Sequence, residues 1–197
     1  MLACMPVEAV APFVDAVRGR ISEVMGPVEL IHEMRRKLGA PSRVVSERLH
    51  RLGVLAVPEV PGSGRLASAG DLPLLAEWTR AYFAELGLYG GDVADRTARR
   101  VAAGEMFLWV DGEPVAMAGL SVAAGGVCRV STVYTPPARR RRGYGAAITA
   151  HVSRAGLEER CDQVVLFTDL ANPVSNRVYR SIGYEPVADY AQVTYRG

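Results

Sequence analysis

The chain has 197 residues, of which 49% are apolar and 22% charged, and its formal net charge is +2. That length suits one good-sized domain or a domain with an appendage, and the composition is that of a soluble globular protein. So small a charge gives no support to nucleic-acid binding, and no apolar run approaches the roughly 18 residues needed to span a bilayer.

The start, MLACMPVEAVAPF, has no basic opening and carries Glu8 early, so it does not read as a secretory signal; a cytoplasmic location is expected. Cys4, Cys128 and Cys161 are an odd set without metal-ligand spacing, expected to be reduced and structural. His32, His50 and His151 form no H-E-x-x-H pair, and no G-x-S-x-G marks a serine nucleophile, so no metal is expected.

In chain order, Glu8 to Leu38 reads as helical in two pieces. Val10, Phe13, Val14 and Val17 line the first. Gly26-Pro27 breaks it, and Pro27 opens the second, with Ile31, Met34 and Leu38 on one face and Gly39 as its stop. Ser42 to Leu55 suits neither period. Pro58 to Gly64, PEVPGSG, is a linker by composition. Residues 1–57 are therefore expected to form a small helical N-terminal extension, with a cap on the main domain, a dimerisation element for a homodimer and the remnant of a larger domain all open. Arg65 to Ala67 is a short strand. Ser68 or Asp71 caps a helix whose stripe is Leu72, Leu75, Ala76, Tyr82, Phe83 and Leu86, ending at Gly87. A short helix spans Asp92 to Ala103. Glu105–Val110 and Val115–Val122 form a hairpin about Asp111-Gly112, and Gly125-Gly126 turns the chain into the strand Val127–Tyr134.

The stretch VSTVYTPPARRRRGYGAAITA, Val130 to Ala150, is the most informative. A β-branched, aromatic run is stopped by Thr135-Pro136-Pro137, because proline has no N–H for a ladder. Arg139 to Arg142 and Gly143-Tyr144-Gly145 follow, and then a helix with Ile148, Val152 and Ala155 on one face. Strand, basic glycine loop and helix make an anion site: loop N–H groups converge, and the helix N-terminus adds unpaired donors and partial positive charge. The dinucleotide spacing fails, because Ile148 stands where its third glycine would be, and the triphosphate pattern fails for want of a lysine. Gln163–Thr168 reads as an inner strand, parallel to its helix-linked predecessor. Ser175–Ile182 is a short helix stopped by Gly183, and Tyr184–Tyr195 makes the last one or two strands. The expected fold is mixed α/β, with a largely antiparallel sheet of six to seven strands and helices on both faces.

Arg140-Arg141-Arg142-Gly143-Tyr144-Gly145 fits R-x-x-G-x-G, and here the chain resembles the GNAT superfamily of acetyl-CoA-dependent acetyltransferases. A second block agrees: Asn172, Asn176 and Tyr179, followed by Gly183-Tyr184. The resemblance runs from about Leu66 to Tyr195, so the acetyltransferase domain is expected over 65–197 after the linker 58–64. It implies that Arg140, Arg141, Arg142, Gly143, Tyr144, Gly145 and Ala146 wrap the pyrophosphate of coenzyme A. It implies that Val133, Tyr134 and Thr135 pair through their backbones with the pantetheine arm, with the Val133 N–H facing the thioester oxygen. Asn172 and Asn176 would belong to the same cofactor site, and Tyr179 would donate a proton to the coenzyme A sulfur. In this resemblance the loop Leu88-Tyr89-Gly90-Gly91 shapes the acceptor site, so Tyr89 would touch the acceptor.

The sequence departs from the family at the general base. Some relatives carry a glutamate where Phe167 stands; Asp169, Glu105, a water channel, or no base at all for an amine of low pKa are the alternatives, and none is assigned. The leading expectation is an N-acetyltransferase with acetyl-CoA as co-substrate and a small-molecule or peptide amine as acceptor. A non-catalytic acyl-CoA-binding regulatory module is the alternative. A nucleic-acid binder built on the arginine run is disfavoured by the low net charge and by the lack of interleaved aromatic residues other than Tyr144.

Overall fold

The computed structural model describes residues 6–17, 19–88 and 91–195. The elements in chain order are α1 (Val10–Val17), β1 (Glu23–Pro27), α2 (Val28–Leu38), β2 (Arg43–Leu52), β3 (Ser63–Leu66), α3 (Leu72–Glu85), α4 (Val93–Ala102), β4 (Met106–Asp111), β5 (Glu113–Leu120), β6 (Val127–Tyr134), α5 (Tyr144–Glu159), β7 (Gln163–Asp169), α6 (Pro173–Ser181) and β8 (Tyr184–Thr194). The strands hydrogen-bond in the order β1-β8-β2-β7-β6-β5-β4-β3. β6–β7 is parallel, while β1–β8, β3–β4, β4–β5 and β5–β6 are antiparallel. The fold is thus a mixed α/β one, with a mostly antiparallel sheet of eight strands rather than six to seven.

The chain divides into two compact units, Met1–His50 with Phe167–Asn176 and Pro186–Gly197, and Arg51–Leu166 with Arg177–Glu185. In the first unit, Val10, Val14, Val24, Leu30, Ile31, Met34, Ala191 and Val193 form the core. Here the structure corrects the purely helical reading of residues 8–38. Glu23–Pro27 is a strand, pairing in register from Glu23 opposite Thr194 to Pro27 opposite Tyr190. A sheet edge tolerates the proline, whose missing N–H breaks no inner ladder. Pro27 then stands at the N-cap of α2, and Gly39 at its C-cap has φ 88°. Residues 42–55, which suited neither period, contain β2. Its polar side chains find partners on β8, as in the Arg48 guanidinium donating to both Asp189 oxygens at 2.6 and 2.9 Å.

In the second unit β4 and β5 are apolar on both faces, because each face meets helices. Met106, Leu108 and Met117 pack with Leu75 and Trp78 of α3. Phe107, Trp109, Ala116 and Ala118 pack on the other side with Ala147, Ile148 and Val152 of α5. Trp109 Nε1 donates to the Pro61 carbonyl at 2.8 Å, which fastens the Pro-rich segment to β4. Ser68 and Asp71 cap reciprocally before α3, and Arg65 grips the Asp71 carboxylate at 2.8 Å on both oxygens. Gly112 turns the β4–β5 hairpin at φ 70°. Burial and the neighbouring Cys161 push the Cys128 thiol up to about 12, so it stays protonated in the core. Cys4 lies outside the described residues.

Candidate active site at the end of strand β6

β6 is the foundation of the site. Its parallel ladder with β7 pairs Val127 to Val130 with Gln163 to Leu166, so Ser131 to Tyr134 extend beyond the paired residues. On its other side, Met117 pairs with Tyr134 but Gly119 pairs with Ser131. Thr132 and Val133 therefore oppose Ala118 alone, which is a β-bulge. Thr132 has φ 52°. A β-branched residue in the left-handed region costs about 1–2 kcal/mol, so surrounding contacts must hold it there. Arg100 of α4 supplies them: Nη1 donates to Thr132 Oγ1 and Nη2 to Ser131 Oγ, both at 3.1 Å. Hydrogen bonds from a charged donor contribute about 1.5–3 kcal/mol, enough to offset the strain. The guanidinium is in turn fixed by Glu105 Oε2 at 3.0 Å. It fits because residue 119 is glycine, where a Cβ would stand 2.1 Å from Nη2.

After Pro136 a single 3-10 turn, Pro137–Arg139, leads into the arginine loop. Arg141 has φ 65° and Gly143 φ 82°. Left-handed residues in such a turn allow successive N–H groups to converge on an anion, and the chain passes directly from this loop into α5. Tyr144, Gly145 and Ala146 open that helix, where N–H groups have no intrahelical acceptor. A Cβ on Gly145 would meet only Thr135 Oγ1, at 3.7 Å, so the space above this backbone is open. Arg141 and Arg142 are exposed beside it. A phosphate group fits this arrangement: the first turn of α5 offers unpaired donors, the dipole is favourable, and the space at Gly145 is open.

The side chains of this loop divide the work in a way the motif did not show. Arg140 is clamped: its Nε donates to the Thr135 carbonyl at 2.8 Å, and Nη2 donates to Glu85 at 2.6 and 2.8 Å. Its guanidinium also lies 5.7 Å from the Tyr134 ring centroid. Arg140 therefore shapes the loop, and a phosphate would have to compete with Glu85 for it. Arg139 pairs with Glu113. Tyr144, expected among the cofactor-binding residues, turns its ring into the core at 5% exposure and donates its hydroxyl to Asp111 Oδ2 at 2.6 Å. That bond raises the phenol pKa. What Tyr144 offers a ligand is its backbone N–H. Tyr134 is likewise buried, 6.3 Å from Trp78 and 6.5 Å from Tyr82 between ring centroids. Val133 and Thr135 stay half-buried.

Tyr179 lies on α6, half-buried, with its ring 6.1 Å from that of Tyr184. Burial, and then the neighbouring Tyr82 and Tyr184, raise its pKa above the ordinary tyrosine value. Its neighbour Tyr184 is fixed from α5. The Ser153 hydroxyl donates to the Thr149 carbonyl at 2.6 Å, so the 2.7 Å contact between Ser153 and Tyr184 has the phenol as donor. Thr149 donates in turn to the Gly145 carbonyl at 2.8 Å. A ladder of hydroxyls thus ties the first turn of α5 to the aromatic pair.

Asn172 and Asn176 are engaged in their own loop. Asn172 Oδ1 accepts from the Ser175 N–H at 3.1 Å, a cap on α6. Asn176 Oδ1 accepts from Thr168 at 2.7 Å, and its amide donates to the Asp169 and Asn172 carbonyls at 3.0 and 2.8 Å. Thr168 spends its proton on Asn176, so His50 Nε2, 3.1 Å away, is the donor to Thr168. Asn176 thus arrives with its hydrogen bonds made, and it fixes the backbone of residues 169–172.

Of the carboxylates weighed as a base, Glu105 is occupied by Arg100, and Asp169 Oδ1 accepts from the Ala171 N–H at 2.7 Å. Phe167 stacks edge-on with Tyr190 at 5.1 Å. Tyr89 and Gly90 of the expected acceptor loop lie outside the described residues. A concavity of 740 Å³ is lined by α2 residues including Glu29 and His32, and one of 670 Å³ lies between Leu72 and Arg80 of α3 and Asp92 to Ala98; the arginine loop lines neither. Arg100 and Thr132 escaped the sequence reading. The signal that could have found them is Gly119, a glycine inside an apolar strand, which often marks a bulge or a close approach.

The model of the acetyltransferase (GNAT) family matches residues 72–184, more than half of the chain. A search of curated protein sequences returned no match. Among solved structures, an acetyltransferase of the GNAT family from Colwellia psychrerythraea aligns with a TM-score of 0.69 at 10% identity, covering 96% of this chain and 72% of its own. A putative GNAT acetyltransferase from Novosphingobium aromaticivorans gives 0.65 at 22% identity, with 98% and 82% covered. A GCN5-related N-acetyltransferase from Kribbella flavida gives 0.62 at 25% identity, with 97% and 74% covered. Among the described residues, no helix is long and apolar enough to cross a membrane. The matched span runs from α3 through the β6 bulge and the arginine loop to Tyr184, so the chain belongs to the GNAT acetyltransferase family.

Proposed function

We propose that the protein moves an acetyl group from acetyl-CoA to a primary amine on a small molecule or peptide in the cytoplasm, by direct attack of the amine. The observation that carries this reading is the paired left-handed backbone at Arg141 and Gly143 running into the α5 N-terminus, open above Gly145. The loop N–H groups and the exposed Arg141 and Arg142 bind the diphosphate, while Arg140 holds the loop through Glu85. The bound thioester supplies an activated acyl group.

The remaining work falls to the chain. The Val133 N–H, which stands in the β6 bulge, donates to the thioester oxygen where negative charge develops. Tyr179 stays protonated across the working range, because its pKa is raised, and its hydroxyl donates to the departing sulfur. A thiolate near pKa 8.5 is a weaker base than tyrosinate, so this donor acts as a strong hydrogen bond that follows the bond breaking. With Glu105 and Asp169 engaged, water takes the amine proton.

Calorimetric titration with coenzyme A and with acetyl-CoA tests the reading. Micromolar binding of both, lost in Gly145→Val, supports it and justifies an amine screen with thiol detection. No binding of either compound refutes it.

A further inference from the structure

The β6 bulge needs an external support. Thr132 occupies, at φ 52°, a bulge position where glycine is the usual residue, and threonine does not choose that conformation by its own preference. The support in place is one guanidinium that reaches both hydroxyls of the bulge, Ser131 Oγ and Thr132 Oγ1. That guanidinium is part-buried, with 28% of its side chain exposed, and its carboxylate partner Glu105 is 19% exposed. The two residues are joined by backbone as well, the Glu105 N–H donating to the Arg100 carbonyl at 2.9 Å across the turn from α4 to β4. The Leu120 N–H donates to the Glu105 carbonyl at 2.8 Å, so the anchor is fastened to β5 beside Gly119.

We propose that Arg100, anchored by Glu105 and admitted by the bare Cα of Gly119, is the positioning residue that holds the β6 bulge and so aims the Val133 N–H at the thioester carbonyl. The proposal rests on the acetyl-CoA reading above. If Thr132 relaxed to the extended or right-handed region, its φ would change by roughly 110° or more, and the peptide carrying the Val133 N–H would turn with it. Misplacement of a catalytic donor by about 1 Å can lower a rate roughly a hundredfold. Arg100 touches none of the reacting atoms; it acts through the backbone of residues 131–133. Glu105 thereby has a task other than proton abstraction, and the glycine at 119 makes room for this clamp.

The test uses the full chain and acetyl-CoA isotope-labelled at the acetyl carbonyl. Difference infrared spectroscopy reads the carbonyl stretch of the bound molecule, which falls when a backbone N–H donates to it. Wild type is expected to lower the stretch from its value in free acetyl-CoA. Arg100→Ala returns it towards the free value, while affinity for coenzyme A, carried by the arginine loop, stays within about threefold. Gly119→Ala, which crowds the guanidinium without removing its charge, moves the stretch in the same direction. The double variant Arg100→Ala/Thr132→Gly restores the lowered stretch, because glycine takes a positive φ unaided. With an amine acceptor in hand, kcat of Arg100→Ala falls roughly a hundredfold with little change in KM for acetyl-CoA. Should Arg100→Ala not fold, Arg100→Lys, which keeps the charge but not the fork, is read in its place. A wild-type stretch that is not lowered on binding overturns the proposal. So does a stretch unchanged in the arginine variant, or a double variant that is not rescued. Absence of acetyl-CoA binding by wild type removes the acetyl-CoA reading and this proposal with it; intact binding with an unchanged stretch removes the proposal alone.

Discussion

Gly145→Val separates what the fold needs at the cofactor loop from what the ligand needs. Residue 145 does not have a left-handed backbone, and an added Cβ meets only Thr135 Oγ1 at 3.7 Å, an ordinary contact. Helix propensity favours valine over glycine by a few tenths of a kcal/mol, so the free protein should keep its stability within about 1 kcal/mol. For a chain of this size that is a melting temperature within about 2–4 °C of wild type. The two methyl groups, however, stand in the space above the first-turn N–H groups. Excluding a phosphate from two charge-assisted bonds of about 1.5–3 kcal/mol each removes about 3–6 kcal/mol of binding, a hundredfold to ten-thousandfold loss in coenzyme A affinity. Gly143→Ala is the contrasting control. Its φ of 82° and the Val60 Cγ2 atom 2.8 Å from an added Cβ predict a destabilised fold. The strain of about 1–2 kcal/mol lowers the melting temperature by roughly 2–8 °C. Calorimetry and thermal melts on the two variants are the assay. A Gly145→Val protein that melts normally and binds coenzyme A like wild type would refute the loop assignment.

Three further outcomes are expected. Tyr179→Phe should lower kcat by about a hundredfold and leave coenzyme A affinity and melting temperature nearly unchanged; equal rates at every pH would make Tyr179 structural. Stability should fall as pH rises past about 10. The buried Tyr184 phenol has its pKa raised above the unfolded value, so the unfolded chain loses that proton first, and the loss reaches up to about 1.4 kcal/mol per pH unit. Denaturant melts between neutral pH and pH 11 would show it, and a flat profile would contradict the burial of this hydroxyl. Asp71→Asn should destabilise by about 1–2 kcal/mol, since the carboxylate both accepts from the Ser68 N–H and hydroxyl in the turn before α3 and pairs with Arg65. The Arg65 guanidinium holds the Asp71 pKa well below the usual carboxylate range. The stabilisation is therefore full above the unfolded pKa near 3.9 and fades as pH falls below it, so wild type and Asp71→Asn should converge in acid.

Much of the fold and the loop was legible in the sequence because local chemistry determines them. The Asp111-Gly112 hairpin, the stop at Pro136-Pro137, the Gly143 entry into α5 and the parallel return through β7 follow from turn residues, proline geometry and apolar periodicity. The R-x-x-G-x-G spacing, its place after a strand stopped by prolines and the later Asn172, Asn176 and Tyr179 block together led to the family. Tertiary structure decided what depends on partners distant in sequence. Glu23–Pro27 is a strand because β8, some 170 residues later, offers it a ladder; nothing in SEVMGP announces that. Residues 43–52 hide their strand character because Arg48 finds its partner in Asp189. Most of all, the motif arginine Arg140 binds Glu85, and Arg100, outside any motif, grips the β6 bulge. Hydrogen bonds between side chains remote in sequence leave no period and no spacing, so their pairing emerges only when the chain has folded.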